Sequence, residues 1–163
     1  MFTDAKTHKY IDECTASNFI GIRQYSKLQG SARTTAKRST VSNANDLQRS
    51  DLTFEYLTPR SSAILPSITN DSLMTLAKEM GIKVNRRRIR VDELANLQEA
   101  AACGTACVIS PLTKVVDPDN NITYTFGDKP GPILTKLYHA LQDIQYGRAK
   151  DKHNWCTVIE ETV

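Results

Sequence analysis

Three short stretches of the chain carry residue types that could do chemistry. In Ile64-Leu65-Pro66-Ser67-Ile68-Thr69-Asn70 an apolar segment breaks at a proline and restarts with hydroxyl and amide side chains, followed by Asp71. Such a break opens a helix whose first backbone N–H groups lack partners and can point at an anion. The same residues equally suit an ordinary capped core helix, with Ser67, Thr69 or Asn70 as the cap. Glu13 stands where the apolar residues Tyr10 and Ile11 give way to the small polar run Cys14 to Asn18. A carboxylate there can hold a protonated nitrogen, although an acid at a strand end is more often simply solvated. Gly104-Thr105 forms a tight turn before the β-rich Cys107-Val108-Ile109, which could present a hydroxyl and backbone N–H groups to a ligand or merely reverse the chain.

Other reactive side chains promise less. Cys14, Cys103, Cys107 and Cys156 lack paired metal-ligand spacing and read as reduced thiols. Cys103 and Cys107 flank the Gly104-Thr105 turn and could face a pocket, but a small buried thiol is the plainer role. His153 lies beside Trp155 in a polar tail, where a lone histidine reads as structural. No metal site is expected.

The elements that must position these groups follow from periodicity. Lys9 to Ile22 suggests two short strands, and Tyr56-Leu57-Thr58-Pro59 another. Leu73, Leu76, Ala77 and Met80 recur at helical spacing until Gly81, and Ile82 to Ile89 reads as one strand whose Arg86-Arg87-Arg88 run is solvated. Val91 to Leu94 opens a short helix with acids in its first turn. Lys114–Val116 and Ile122–Phe126 form a hairpin around Asp117-Pro118-Asp119-Asn120-Asn121. Pro132 then introduces a helix with Leu134, Leu137, Tyr138, Leu141 and Ile144 on one face, ended by Gly147.

At 163 residues the chain is one domain's worth and can bury a sizeable core. Its net charge of +3 is local, because Lys27, Arg33, Lys37, Arg38 and Arg49 sit together against Asp46 alone. The rest carries no excess of base, so a nucleic-acid partner is not expected. That segment, about residues 24–52, is rich in Ser, Thr, Ala and Asn and reads as a disordered surface insertion. No apolar run approaches the ~20 residues of a membrane span, and no targeting segment precedes the first strand, so an intracellular protein, cytoplasmic or mitochondrial, is expected.

Taken in order, Tyr10 to Gly21, the Leu65–Asn70 turn, Glu99 to Pro111 and the tail Asp151-Lys152-His153-Asn154-Trp155 resemble the C-terminal half of the branched-chain aminotransferases. These are pyridoxal-phosphate enzymes of fold type IV. The resemblance covers nearly all of the chain outside about residues 24–52. It implies an α/β fold: the large C-terminal domain of the D-amino acid aminotransferase-like architecture, a mixed sheet with flanking helices, without the small N-terminal domain.

By the same resemblance, Glu13 would contact the pyridine nitrogen and keep it protonated, so that the ring can take up the electron pair released at the substrate Cα. Leu65 would pack on the ring, Ile68 and Thr69 would offer backbone N–H groups and a hydroxyl to the phosphate, and Thr105 would add a second hydroxyl. Thr105 and Ala106 would receive the substrate carboxylate. The implied reaction moves an amino group between leucine, isoleucine or valine and 2-oxoglutarate, in amino-acid or specialised-metabolite biosynthesis. The lysine that carries the cofactor in this family lies before the position of Glu13, and neither Lys6 nor Lys9 matches its motif, so no catalytic residue is assigned. The cofactor lies between two domains at a dimer interface in the family, which implies a homodimer or an N-terminal domain covering Leu65, Ile68 and Ala106. The alternative is a truncated, non-catalytic homologue that binds a ligand or docks a subunit. Departures from the family pattern are Cys14-Thr15 and Ala102, expected to add bulk near the cofactor, and Asn154, where glycine is common.

Overall fold

The computed structural model describes residues 1–26 and 52–159. At its centre is a six-stranded mixed sheet. Strand β3 (Ser17–Ser26) pairs antiparallel with β2 (Glu13–Cys14), with β4 (Leu52–Pro59) and with β7 (Glu99–Gly104). Strand β5 (Lys83–Arg87) runs parallel to β4, and β8 (Val108–Leu112) runs antiparallel to β7. The parallel pair requires a crossover, supplied by helix α1 (Ile68–Glu79).

Side-chain alternation along β3 divides the core. Ile20 and Ile22 face one side, with Leu73, Leu76 and Ala77 of α1 and with Leu134, Leu137, Leu141 and Ile144 of helix α2 (Pro132–Gln145). Phe19 faces the other side, with Ile11, Leu57, Ile89, Leu94 and Tyr124. Both helices therefore flank a single face of the sheet. The opposite face is covered by the two-residue strands β1 (Tyr10–Ile11) and β6 (Ile89–Arg90), a 3-10 turn at Val91–Asn96, and the hairpin of β9 (Lys114–Asp117) with β10 (Ile122–Thr125). On this face Gly21 leaves room for Leu97, whose Cδ1 would lie 2.7 Å from an added Cβ.

Two expected elements differ in extent. The strand expected over Ile82–Ile89 splits at Arg88: β5 pairs with β4, while β6 crosses to β1. Burial decides this, because fully buried Ile89 belongs to the cluster on the far face. Nor are Arg86 to Arg88 merely solvated. Arg87 donates to both Glu93 oxygens at 2.9 and 2.6 Å, the Arg88 guanidinium lies 3.7 Å from the Tyr10 ring centre, and Arg86 reaches Asp71 at 4.0 Å. The β3–β4 ladder continues to Ser26↔Leu52, so both strands extend into the span expected to be an insertion. The remainder of that expectation lies outside the described residues.

The tail is anchored by His153, stacked on Trp155 with ring centres 4.2 Å apart and 3.2 Å from Glu79 Oε1. Asn154, where glycine is common in the resembling family, sits at φ +55°, a left-handed conformation that asparagine adopts more readily than most residues. Among the described residues, no helix is long and apolar enough to cross a membrane.

Candidate functional site

Strand directions bring the three candidate stretches to one end of the sheet. The β2–β3 turn, the carboxyl end of β4, the first turn of α1 and the β7–β8 turn all lie there, because β3 begins, and β4 and β7 end, on that side. The mouth of a β–α crossover is a common ligand position in open α/β sheets.

Glu13 pairs directly with Asn18, and Asn18 with Cys103 across the next ladder, so these three side chains share the face that carries α1. Asn18 is buried and its Nδ2 donates to the Leu65 carbonyl at 3.1 Å. That bond ties the Glu13 hairpin to the loop entering α1. The β7–β8 turn closes the same corner, since a Cβ on Gly104 would lie 3.6 Å from Ser17 Cβ and 3.8 Å from the Ala16 carbonyl oxygen. Thr105 and Ala106 are exposed in this turn. Val108, which follows it, is held at φ +59°, a costly conformation for a β-branched residue, while the Ile109 amide donates to the Cys107 carbonyl.

The first turn of α1 is built more tightly than its sequence suggests. Ser67, rather than Thr69 or Asn70, is the cap: its hydroxyl accepts from the Asn70 amide at 3.1 Å, and its carbonyl accepts from the Asp71 amide at 3.0 Å. Among the described residues, the amides of Ile68 and Thr69 have no such acceptor, leaving two aligned donors at the helix mouth. Asn70 turns inward. Its Oδ1 accepts from the Tyr56 hydroxyl at 2.6 Å, its Nδ2 donates to Thr58 Oγ1 at 3.0 Å, and the Thr58 hydroxyl donates to the Phe19 carbonyl at 3.1 Å. Burial holds the Tyr56 hydroxyl protonated, well above its usual range. This buried chain of polar groups fixes the orientation of the Ile68 and Thr69 amides. Leu65 and Ile68 project outward, 74% and 82% exposed, so the mouth combines two free donors with two uncovered apolar side chains.

The structure corrects the expected place of Ala102. It pairs with Phe19, which puts its side chain on the face opposite Asn18 and Cys103. There Ala102 and Thr15 line a cavity of about 590 Å³ with Cys14, Leu112 and Lys114, and Ala102 adds no bulk on the Glu13 face. All four cysteines are free; burial pushes the Cys103 thiol up to about 12 and also raises Cys14. Neither is poised as a nucleophile.

One structural element escaped sequence reasoning. Glu99, 5% exposed, directs its carboxylate at the start of α2 and accepts from the amides of Ile133 at 3.0 Å and Leu134 at 2.8 Å. The signal in the sequence was a helix opening at Gly131-Pro132 without a capping side chain of its own, alongside an acid placed before a run of alanines.

Comparison with known proteins shows the family and the fold. The family described as amino-transferase class IV matches residues 4–115. The branched-chain-amino-acid aminotransferase of Helicobacter pylori is 36% identical over 156 residues, covering 95% of this chain and 37% of that protein. The branched-chain-amino-acid aminotransferase of Haemophilus influenzae is 30% identical over 161 residues, covering 98% of this chain and 39% of that protein. Among solved structures, the branched-chain amino acid aminotransferase of Thermobaculum terrenum, in a mutant form, superposes with a TM-score of 0.66 at 26% identity, over 96% of this chain and 40% of that one. The chain thus spans well under half the length of these relatives.

Proposed function

The chain belongs to the amino-transferase class IV family, and from that membership we propose that it forms the large-domain half of a branched-chain aminotransferase site for pyridoxal phosphate. The reaction we assign to the whole protein is amino transfer between leucine, isoleucine or valine and 2-oxoglutarate. The observation that carries this reading is the pair of unpartnered amides at Ile68 and Thr69, locked by the Asn70 network and facing the same corner as Glu13 and the Gly104-Thr105 turn.

The residues fit such a group. A phosphate dianion suits two free amides at a helix mouth, and the hydroxyls of Thr69 and Thr105 can donate to it. Leu65 and Ile68 offer apolar contact to a flat ring, and Glu13 shares the face from which a ring nitrogen can be held. When bound, pyridoxal phosphate supplies an electron sink for the bonds at the substrate Cα. Glu13 keeps the ring nitrogen protonated, and the exposed Thr105 and Ala106 receive the substrate carboxylate through backbone N–H groups. No lysine of this chain matches the motif of the cofactor-carrying lysine, so we place that residue outside these 163 residues. The exposed Leu65 and Ile68 are then the surface that another domain or a second subunit covers.

Two measurements test this reading. With pyridoxal phosphate, leucine and 2-oxoglutarate, the 163-residue chain should form no glutamate above a cofactor-only control. A general base alone contributes ~10²–10⁴-fold in rate, and covalent attachment is lost with the same lysine. Pyridoxal phosphate should nevertheless bind reversibly and be removed by dialysis, because the helix mouth contributes only ~0.3–1 kcal/mol, rising to ~2 when partly buried. Thr105→Ala should weaken that binding, and equal affinity in the variant would remove Thr105 from the site.

A further inference from the structure

Asn18 is a polar side chain in an apolar neighbourhood. On the helix-bearing face of β3 it precedes Ile20 and Ile22, both fully buried, and its cross-strand neighbour on β7 is the buried Cys103. Its other cross-strand neighbour, on β2, is Glu13. A buried amide is costly unless it is hydrogen-bonded. Asn18, 7% exposed, meets that need outside the sheet, where its Nδ2 donates to the Leu65 carbonyl at 3.1 Å.

The loop it reaches has little else to hold it. Among the described residues, this is the sole hydrogen bond to the backbone of Ile64, Leu65 or Pro66. The nearest others are that of the Ala63 amide to Ser61 Oγ and those of the Ser67 cap. Leu65 and Pro66 are exposed, so packing adds little. Pro66 has no N–H and restricts Leu65 to extended conformations. Fixing the Leu65 carbonyl therefore fixes the peptide plane between the two residues, and with it the direction in which the Leu65 side chain leaves the loop.

Asparagine suits this position better than its isostere or a shorter residue. Directly opposed residues of an antiparallel pair have Cβ atoms about 4.5–5.5 Å apart, and like charges there are destabilising. An aspartate would set a second carboxylate opposite Glu13 and, ionised, would have no hydrogen for the Leu65 carbonyl. Alanine would leave that carbonyl without its donor. The helix mouth is held separately, by the Ser67 cap and by the bonds of Asn70 to Tyr56 and Thr58.

Resting on the pyridoxal-phosphate reading above, we propose that Asn18 is a positioning residue of this site. It sets Leu65 against Glu13, and so fixes the gap between the side chain that covers the cofactor ring and the carboxylate that meets the ring nitrogen. Phosphate recognition at the Ile68 and Thr69 amides does not depend on it.

The test compares the 163-residue chain with Asn18→Ala and Asn18→Asp, which differ in volume and charge but both lack the donor. Without ligand, NMR relaxation should show the Leu65 amide ordered in the unmodified chain, with an order parameter of about 0.85. In both variants it should fall below about 0.6, while Thr75 in α1 is unchanged. Both variants should bind pyridoxal phosphate about tenfold more weakly than the unmodified chain, and inorganic phosphate within about twofold of it. A role confined to stability would move the two ligands together or not at all. Unchanged order at Leu65, equal affinity for pyridoxal phosphate, or parallel loss of both ligands would overturn the proposal. If Asn18→Ala fails to fold, Asn18→Asp keeps the side-chain shape and carries the comparison. Failure of the unmodified chain to bind pyridoxal phosphate would instead overturn the cofactor reading on which the proposal rests, whatever the order at Leu65.

Discussion

Glu99→Ala should unfold the chain far more readily than an exposed glutamate variant would. The carboxylate is the cap of α2, although it comes from a strand 33 positions earlier than Pro132. Its removal strands the buried Leu134 amide, at roughly 1–3 kcal/mol, and the half-buried Ile133 amide at less. Losing a helix cap typically costs ~0.5–2 kcal/mol, and these contributions overlap, so about 3 kcal/mol is expected. That is a large part of a stability of order 5–15 kcal/mol. In urea, with a slope near 2 kcal/mol/M, the midpoint should fall by about 1.5 M with the slope unchanged. Glu99→Gln should cost about half as much, because one carbonyl oxygen can still accept while the new NH₂ faces a donor. Gly131 supplies an internal check, since a Cβ there would lie 2.0 Å from Glu99 Cδ. Gly131→Ala should be severe in the native background and much milder once Glu99 is alanine, giving a coupling energy of order 1–3 kcal/mol in a double-mutant cycle. A midpoint shift under about 0.3 M for Glu99→Ala, or strict additivity with Gly131→Ala, would refute the cap.

Asn70→Ala should destabilise by roughly 2 kcal/mol through the stranded Tyr56 and Thr58 hydroxyls, and should weaken inorganic phosphate binding more than Thr75→Ala, which lies further along α1. Denaturation across pH should show an acid limb due to Glu55. Burial raises this carboxyl, but contacts with Lys83, Arg23 and Asn85 outweigh it and hold the group below its ordinary 4.5. Its stabilising effect is therefore complete above about 4.5 and lost as pH falls through the lower folded-state value, so Glu55→Gln should flatten that limb. Sedimentation of the 163-residue chain should show self-association that Leu65→Ser with Ile68→Ser reduces, because both side chains are exposed. Unchanged sedimentation would argue that these residues are not a covered surface.

Much of the local structure around the candidate site was legible in the chain because its motifs are local. Pro66-Ser67 marks a helix start, Gly81 and Gly147 mark helix ends at positive φ, and Gly104-Thr105 marks a turn, each through short-range backbone preferences. What escaped notice is long-range. Asn70 looks like a cap, but tertiary packing buries it beneath Tyr56 and leaves capping to Ser67. Arg88 and Ile89 read as one strand with Ile82 to Arg87 because alternation carries no information about which neighbour a strand will choose. Ala102 joined the motif of Cys103 and Gly104 by sequence proximity, yet the one-residue step from Cys103 to Ala102 along β7 reverses the face of the sheet. Glu99 and Gly131 are far apart in the chain and meet only once β7 and α2 are packed.

The β3–β4 ladder has a consequence for how this protein can change. From Asn18, at the candidate site, to Ser26, where the ladder ends, β3 advances by eight residues, or about 26 Å at ~3.3 Å per residue. The chain therefore leaves β3 and enters β4 at the end of the sheet remote from Glu13 and the α1 mouth. Lengthening such a connection costs only about 0.6 kcal/mol per doubling. Sequence drift, tags and insertions can accumulate at that end under weak selection, while the opposite end stays subject to its buried hydrogen bonds. One strand thus separates a tolerant edge from an exacting one, and engineered fusions belong between Ser26 and Leu52.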